Sequence, residues 1–296
     1  MIRAYCARAL AGVAVLLGLA AGNVLAQAEE LRLAVTDVEG LERLQTEWGP
    51  FKAALEKASG LEFKFFPVNN RTAAAEALRA KKVDLVITGP AEYVIINKLT
   101  DAKPLIGFGR PDYLCAIVVM ARSPYLRPMD LKGQKVAFKD VGSTSGHLCP
   151  MQLLADYGIA PMSDISRVHT SQNLQHEALK RGDVAAIGVN YNSWVSKARN
   201  KDTSVRPGDF RVIARSGDLP NDVLMIGAHV DSAVGEKISN VFIDHQNEIV
   251  AAITTNEENA KYEGMTFIKV VDKDYDIVRA MYGAIGHTQF AEFVGE

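Results

Sequence analysis

Short aliphatic and β-branched runs alternate with helix-spaced stretches along most of this chain, and that alternation limits its fold more than any other feature. Residues 31–35, 61–66, 83–87 and 105–108 read as strands. Helical spacing over 41–58, 72–81 and 91–99 separates them. Strand–helix–strand order implies βαβ units and a parallel sheet. A second set follows, with strands at 115–121, 135–138, 167–169 and 184–189 and helices after residue 147 and over 173–181. Strands at 210–215 and 223–227 flank the break at Leu219-Pro220, and the remainder reads as helical, amphipathic over 237–252. Two α/β units joined by two strand-like crossings describe a bilobed clamshell, with a ligand seat where strand ends and helix starts converge.

The first residues read as a secretory leader. Arg3 and Arg8 precede an apolar run over 9–21, and Val24-Leu25-Ala26 has the small residues of a cleavage site, so cleavage is expected after Ala26. The apolar run is too short for a comfortable membrane span. Export to the periplasm follows, with residues 27–116 plus 222–296 forming one lobe and 117–221 the other. Without the leader, 31 of the 33 basic residues face 35 acidic ones, a mildly acidic balance that argues against nucleic acid and anionic membrane surfaces as partners. Nothing in the pattern calls for a cofactor or a second copy.

Gly142-Ser143-Thr144-Ser145-Gly146 carries the chemistry. Three hydroxyl residues between two glycines lead into an apolar helical run (Leu148, Met151, Leu153, Leu154). A helix start has unpaired backbone N–H groups and partial positive charge, and the hydroxyls add donors. Capping alone needs one such residue. Cys115 and Cys149 are the two cysteines outside the leader. In an oxidising compartment a disulfide is the default for a pair, and a ligand-contacting thiol is the alternative. His147 and Cys149 lack further ligands at zinc spacing. A thiol hydrolase built from Cys149 with His169 or His176 has no surrounding catalytic signature, so the chain reads as a binding protein, not an enzyme.

At this point the chain resembles the periplasmic phosphonate/phosphite-type solute-binding proteins. Trp48-Gly49-Pro50-Phe51, Val83-Asp84-Leu85-Val86-Ile87-Thr88-Gly89-Pro90 with Tyr93, Asp130-Leu131-Lys132-Gly133 leading through Val136-Ala137-Phe138 to the hydroxyl loop, and Leu219-Pro220-Asn221-Asp222 carry the likeness. It implies the α/β two-lobed type II clamshell with two crossover strands. It also implies that Ser143, Thr144 and Ser145 bind an oxyanion while Tyr93 closes over it. Arg71 stands where the family commonly has a Tyr, and Ser171-Gln172-Asn173 where it has a His-acidic helix start. A neutral Gln is no charged partner for an aminoalkyl group. Arg71 is expected to contribute a charged donor, with Gln172, Asn173 and Asn190 as polar contacts.

The cysteine placement resembles a branch of that family, the periplasmic arsenic-oxyanion sensors. It implies a thiophilic ligand, arsenite, held by Cys115, with Cys149 as a second thiol or disulfide partner. The partner is then a membrane sensor histidine kinase; for a phosphonate, phosphite or phosphate binder it is an ABC permease. The residues alone leave arsenite, arsenate and phosphorus oxyanions open.

Overall fold

The computed structural model describes residues 30–38, 40–68 and 73–291. The leader and Arg71 lie outside these residues. The first lobe begins with β1 (Glu30–Val35), α1 (Leu41–Ser59), β2 (Glu62–Phe65), α2 (Ala73–Arg79), β3 (Leu85–Thr88), α3 (Pro90–Thr100) and β4 (Lys103–Gly109). In α1, Leu44, Trp48, Phe51 and Leu55 recur on one buried face, and Gly60 ends the helix in the left-handed conformation at φ 65°.

The chain then crosses to a second sheet made of β5 (Cys115–Met120), β6 (Lys135–Phe138), β7 (Ser166–His169), β8 (Ala186–Asn190) and β9 (Phe210–Arg215), with α4 (Cys149–Asp156), α5 (Gln172–Arg181) and α6 (Tyr191–Lys197) between them. It returns through β10 (Asp222–Ile226), α7 (Ser232–Asp244), α8 (Gln246–Ile253), β11 (Thr266–Ile268) and α9 (Asp276–Ala284). The first sheet runs β11-β4-β10-β3-β1-β2 and the second β7-β6-β8-β5-β9.

Both sheets are mixed, which corrects the expectation of parallel ones. β1 lies parallel to β2 and β3, and β6 parallel to β7 and β8, as helix crossovers require. The strands at the crossings break that pattern. β10 inserts antiparallel between β3 and β4, and β5 inserts antiparallel between β8 and β9. The expected amphipathic helix over 237–252 is two helices, α7 and α8, separated at His245.

The two sheets share one core. Val278, Met281 and Tyr282 of α9 belong to the same apolar cluster as Leu148, Met151 and Leu154 of the second lobe. The C-terminal helix therefore braces the helix that follows the hydroxyl loop. On the opposite face of the first sheet, Trp48, Phe51, Phe108, Phe242 and Tyr262 build a separate aromatic cluster. Among the described residues, no helix is long and apolar enough to cross a membrane.

Candidate functional site

The loop after β6 is built around two glycines. Gly142 takes φ 89°, a region that L side chains rarely enter. Gly146 passes so close to the loop's own entry that a Cβ there would lie 2.7 Å from the Lys139 Cβ, and its carbonyl accepts from the Lys139 N–H at 2.9 Å. Thr144–Leu148 form a π-helical turn, in which His147 and Leu148 both donate to the Ser143 carbonyl. The Ser143 hydroxyl caps this turn by accepting from Gly146 N–H. The first-turn N–H groups of Thr144 and Ser145 have no acceptor within the helix and point out of its start.

A second helix start faces the first. Gly89 and Pro90 open α3 in the other lobe, and the first available N–H, that of Ala91, donates to Thr144 Oγ1 at 3.1 Å. Two positive helix ends thus meet across the cleft, with one hydroxyl between them. Asn190, at the end of β8, donates to Ser145 Oγ at 3.2 Å while its Oδ1 caps α6 by accepting from Ser193 N–H.

Behind this seat the two crossings are tied together. Arg110 lies on the outward crossing, and its guanidinium stacks 3.8 Å over the Tyr113 ring and pairs with Asp222 at 3.0 Å, while its backbone N–H donates to Asn221 Oδ1. Asp222 also accepts from the Tyr262 hydroxyl at 2.7 Å and lies 3.3 Å from Lys261. Burial opposes the charge on Asp222, but Arg110 and Lys261 hold its carboxyl below the usual range. Tyr113 is buried close enough to Ser145 for the two hydroxyls to act on each other, so the crossing reaches the loop.

Not every expected contact assembles here. Ser143, Thr144, Ser145 and Asn190 come together. Tyr93 does not close over the seat: it is 0% exposed, its hydroxyl donates to Asp272 at 2.7 Å, and its ring lies 4.1 Å from that of Tyr275. Tyr93 falls on the face of α3 turned into the core. Gln172 sits one step behind, exchanging hydrogen bonds with Ser193, and Asn173 is exposed on α5. Sequence reading missed Ala91 and Tyr113 as neighbours of the loop, and the Arg110–Asp222 pair behind them. The one available signal was a cation and an aromatic flanking Pro111 in a crossing.

Cys115 and Cys149 are joined in a disulfide, with Cα atoms 6.2 Å apart and both residues at most 1% exposed. The bond ties the first residue of β5 to the first of α4. Cys115 therefore presents no free thiolate to a ligand, and Cys149 is no hydrolase nucleophile in this form. His176, Glu177 and Asp202 cluster elsewhere in the second lobe, but the Lys180 ammonium bridges both carboxylates and His176 Nδ1 accepts from Trp194. That cluster already holds its cation.

His147 fastens the loop from within, because its Nδ1 accepts from Gly142 N–H at 3.2 Å, which requires a neutral ring. Burial, then the charge of His169, pushes its pKa down to about 4. An unfolded histidine titrates near 6.5, so on acidification the unfolded chain takes up this proton first. Stability contributed above about pH 6.5 is then lost as the pH falls toward 4, roughly 2–3 kcal/mol from this group. His147→Asn is expected to flatten that acid limb in urea unfolding between pH 7 and 4. An unchanged slope would remove His147 as its source.

Comparison with known proteins supplies the context. A family model described as "ABC transporter, phosphonate, periplasmic substrate-binding protein" matches residues 33–275. The phosphate-import protein PhnD of Mycolicibacterium smegmatis is 27% identical over 286 residues, covering 87% of this chain and 86% of that protein. The phosphonates-binding periplasmic protein of Escherichia coli is 24% identical over 234 residues, covering 74% and 67%. Among solved structures, PhnD1 of Prochlorococcus marinus in complex with methylphosphonate superimposes with a TM-score of 0.67 at 18% identity, covering 88% of this chain and 99% of that one.

Proposed function

We propose that this chain, which belongs to the family of periplasmic phosphonate-binding proteins of ABC transporters, captures a tetrahedral phosphorus oxyanion between its lobes and delivers it to a permease. Phosphate, phosphite and a short alkylphosphonate are the candidate ligands. One observation carries the reading: two helix starts from different lobes converge on the Thr144 hydroxyl, and the first-turn N–H groups of Thr144 and Ser145 have no acceptor within their own helix. An anion with three oxygens can accept from both ends at once, so its binding favours the closed arrangement of the lobes. The relatives' names agree with that chemistry, one being a phosphate importer and another a phosphonate binder.

Arsenite sensing rested on a free Cys115 thiol. With that sulfur bonded to Cys149, the reading loses the group that favoured arsenic over phosphorus, and with it the reason to expect a kinase partner. The family is one of substrate carriers, so no turnover is expected.

Calorimetric titration with phosphate, phosphite, methylphosphonate, sulfate and arsenite tests the proposal. At least one phosphorus species is expected to bind well ahead of sulfate and arsenite. A hydrogen bond to a charged group contributes about 1.5–3 kcal/mol, so Ser145→Ala should weaken that ligand roughly 10- to 150-fold. Silence from all three phosphorus species, or an unaltered Kd in Ser145→Ala, would overturn it.

A further inference from the structure

Next to the seat, inside the first lobe, lies a cavity of about 110 Å³ between the ends of β1 and β3 and the first turns of α1. Its walls include Thr88 and Asp222, which also border the start of α3. Gly89 stands between the two spaces, where a Cβ would come within 2.6 Å of Glu92 Oε2 and 4.0 Å of Asp222 Oδ1. Only Gly89 and Pro90 separate Thr88 of this lining from Ala91, whose N–H donates to Thr144.

Its lining has a definite chemistry. Trp48 is 2% exposed, and its indole N–H has no acceptor among the described residues. A buried donor left unpaired carries its full desolvation penalty, so the site favours an occupant that accepts from it. Lys261 is held between Asp37 and Asp222, at 3.0 and 3.3 Å. Asp37, Glu47, Asp222 and Glu258 face Arg43 and Lys261, and Arg110 pairs with Asp222 from behind the lining, which leaves one negative charge in excess.

Four substituents can be compared against that lining. An alkyl group offers no hydrogen bond. A carboxylate accepts only, and meets the excess negative charge. An ammonium donates only, so it leaves the indole unpaired and faces Lys261. A hydroxyl accepts from Trp48 and donates to a carboxylate. The volume suits a group of two or three heavy atoms, since one water claims about 30 Å³ in the liquid.

We propose that this cavity receives the substituent of the bound oxyanion and selects a short hydroxyalkyl chain over alkyl and aminoalkyl ones. The inference rests on the oxyanion reading above and adds the substrate class to it. Titration of the intact protein with methyl-, ethyl-, 2-hydroxyethyl- and 2-aminoethylphosphonate separates the two. The hydroxyethyl compound should bind about tenfold more tightly than the ethyl and aminoethyl ones. In Trp48→Phe that advantage should vanish while methylphosphonate affinity is retained, which also shows that the variant is folded. Equal affinities for ethyl- and hydroxyethylphosphonate in the unaltered protein, with methylphosphonate still binding, would overturn this inference alone and needs no variant. Failure of every phosphonate and of phosphate would sink the oxyanion reading and this one with it.

Discussion

Asp222→Ala is expected to destabilise the protein by about 3–5 kcal/mol, because it strands two buried or half-buried cations together. The carboxylate divides its oxygens between Arg110 and a second pair of donors, the Tyr262 hydroxyl and Lys261. Arg110 is 10% exposed at its side chain and cannot reach water without leaving the Tyr113 ring. Lys261 keeps Asp37 as a partner and has a third of its side chain exposed, so it suffers less. The loss therefore falls mainly on Arg110, whose charge is permanent. For a chain of this size it should read as a fall of roughly ten degrees in Tm. Asp222→Asn keeps an acceptor for Tyr262 but no charge, and should fall between the two. The double variant Asp222→Ala, Arg110→Met removes the orphan together with its partner, and should recover part of the loss. A drop below about 1 kcal/mol for Asp222→Ala would show that the ion pair does not secure the crossings.

The same ion pair shows where sequence reading reaches its limit. Arg110 and Asp222 are separated by 112 residues, and Ala91 and Thr144 by 53. Hydrophobic periodicity reports which face of an element is buried, not which distant element covers it. The helices and most strands were legible for that reason, as in the recurring buried positions of α1. The direction of β5 and β10 was not legible, because an apolar run reads alike in either direction and only the return from the other lobe sets it. β11 has three residues, too few for a pattern. The hydroxyl loop was legible because its residue types have few other uses between two glycines. Tyr93 was placed on the right helix and the wrong face: α3 is apolar on several sides, with Val94 and Ile96 buried beside it, so its period gives no single direction. The cysteines were the widest ambiguity. A buried ligand thiol and a disulfide look identical in sequence, and only the 6.2 Å between Cα atoms distinguishes them.

Removing that disulfide by a Cys115→Ala, Cys149→Ala double substitution is expected to cost roughly 3–4 kcal/mol. The bond closes a loop with a sequence separation of 34, and the chain-entropy relation gives about that value for such a loop. Its placement adds a functional consequence. Cys149 opens α4 directly behind the π-helical turn, and Cys115 pairs in register with Asn190, which holds Ser145. The bond therefore clamps the base of the hydroxyl loop to the strand that enters from the hinge. Both ends lie on elements of the second sheet and the helix packed on it, although the boundary expected from sequence at residue 116 puts Cys115 in the first lobe, so the clamp does not oppose lobe closure. Its loss should reduce stability strongly and oxyanion affinity only modestly, by less than about tenfold, as long as α9 still braces α4. Urea unfolding and calorimetry of the double variant measure the two quantities separately. A stability change under about 1 kcal/mol would mean the reduced chain is already constrained by its packing. Arsenite binding that appears in the protein only after reduction, and disappears in the double variant, would instead return the pair to a ligand role.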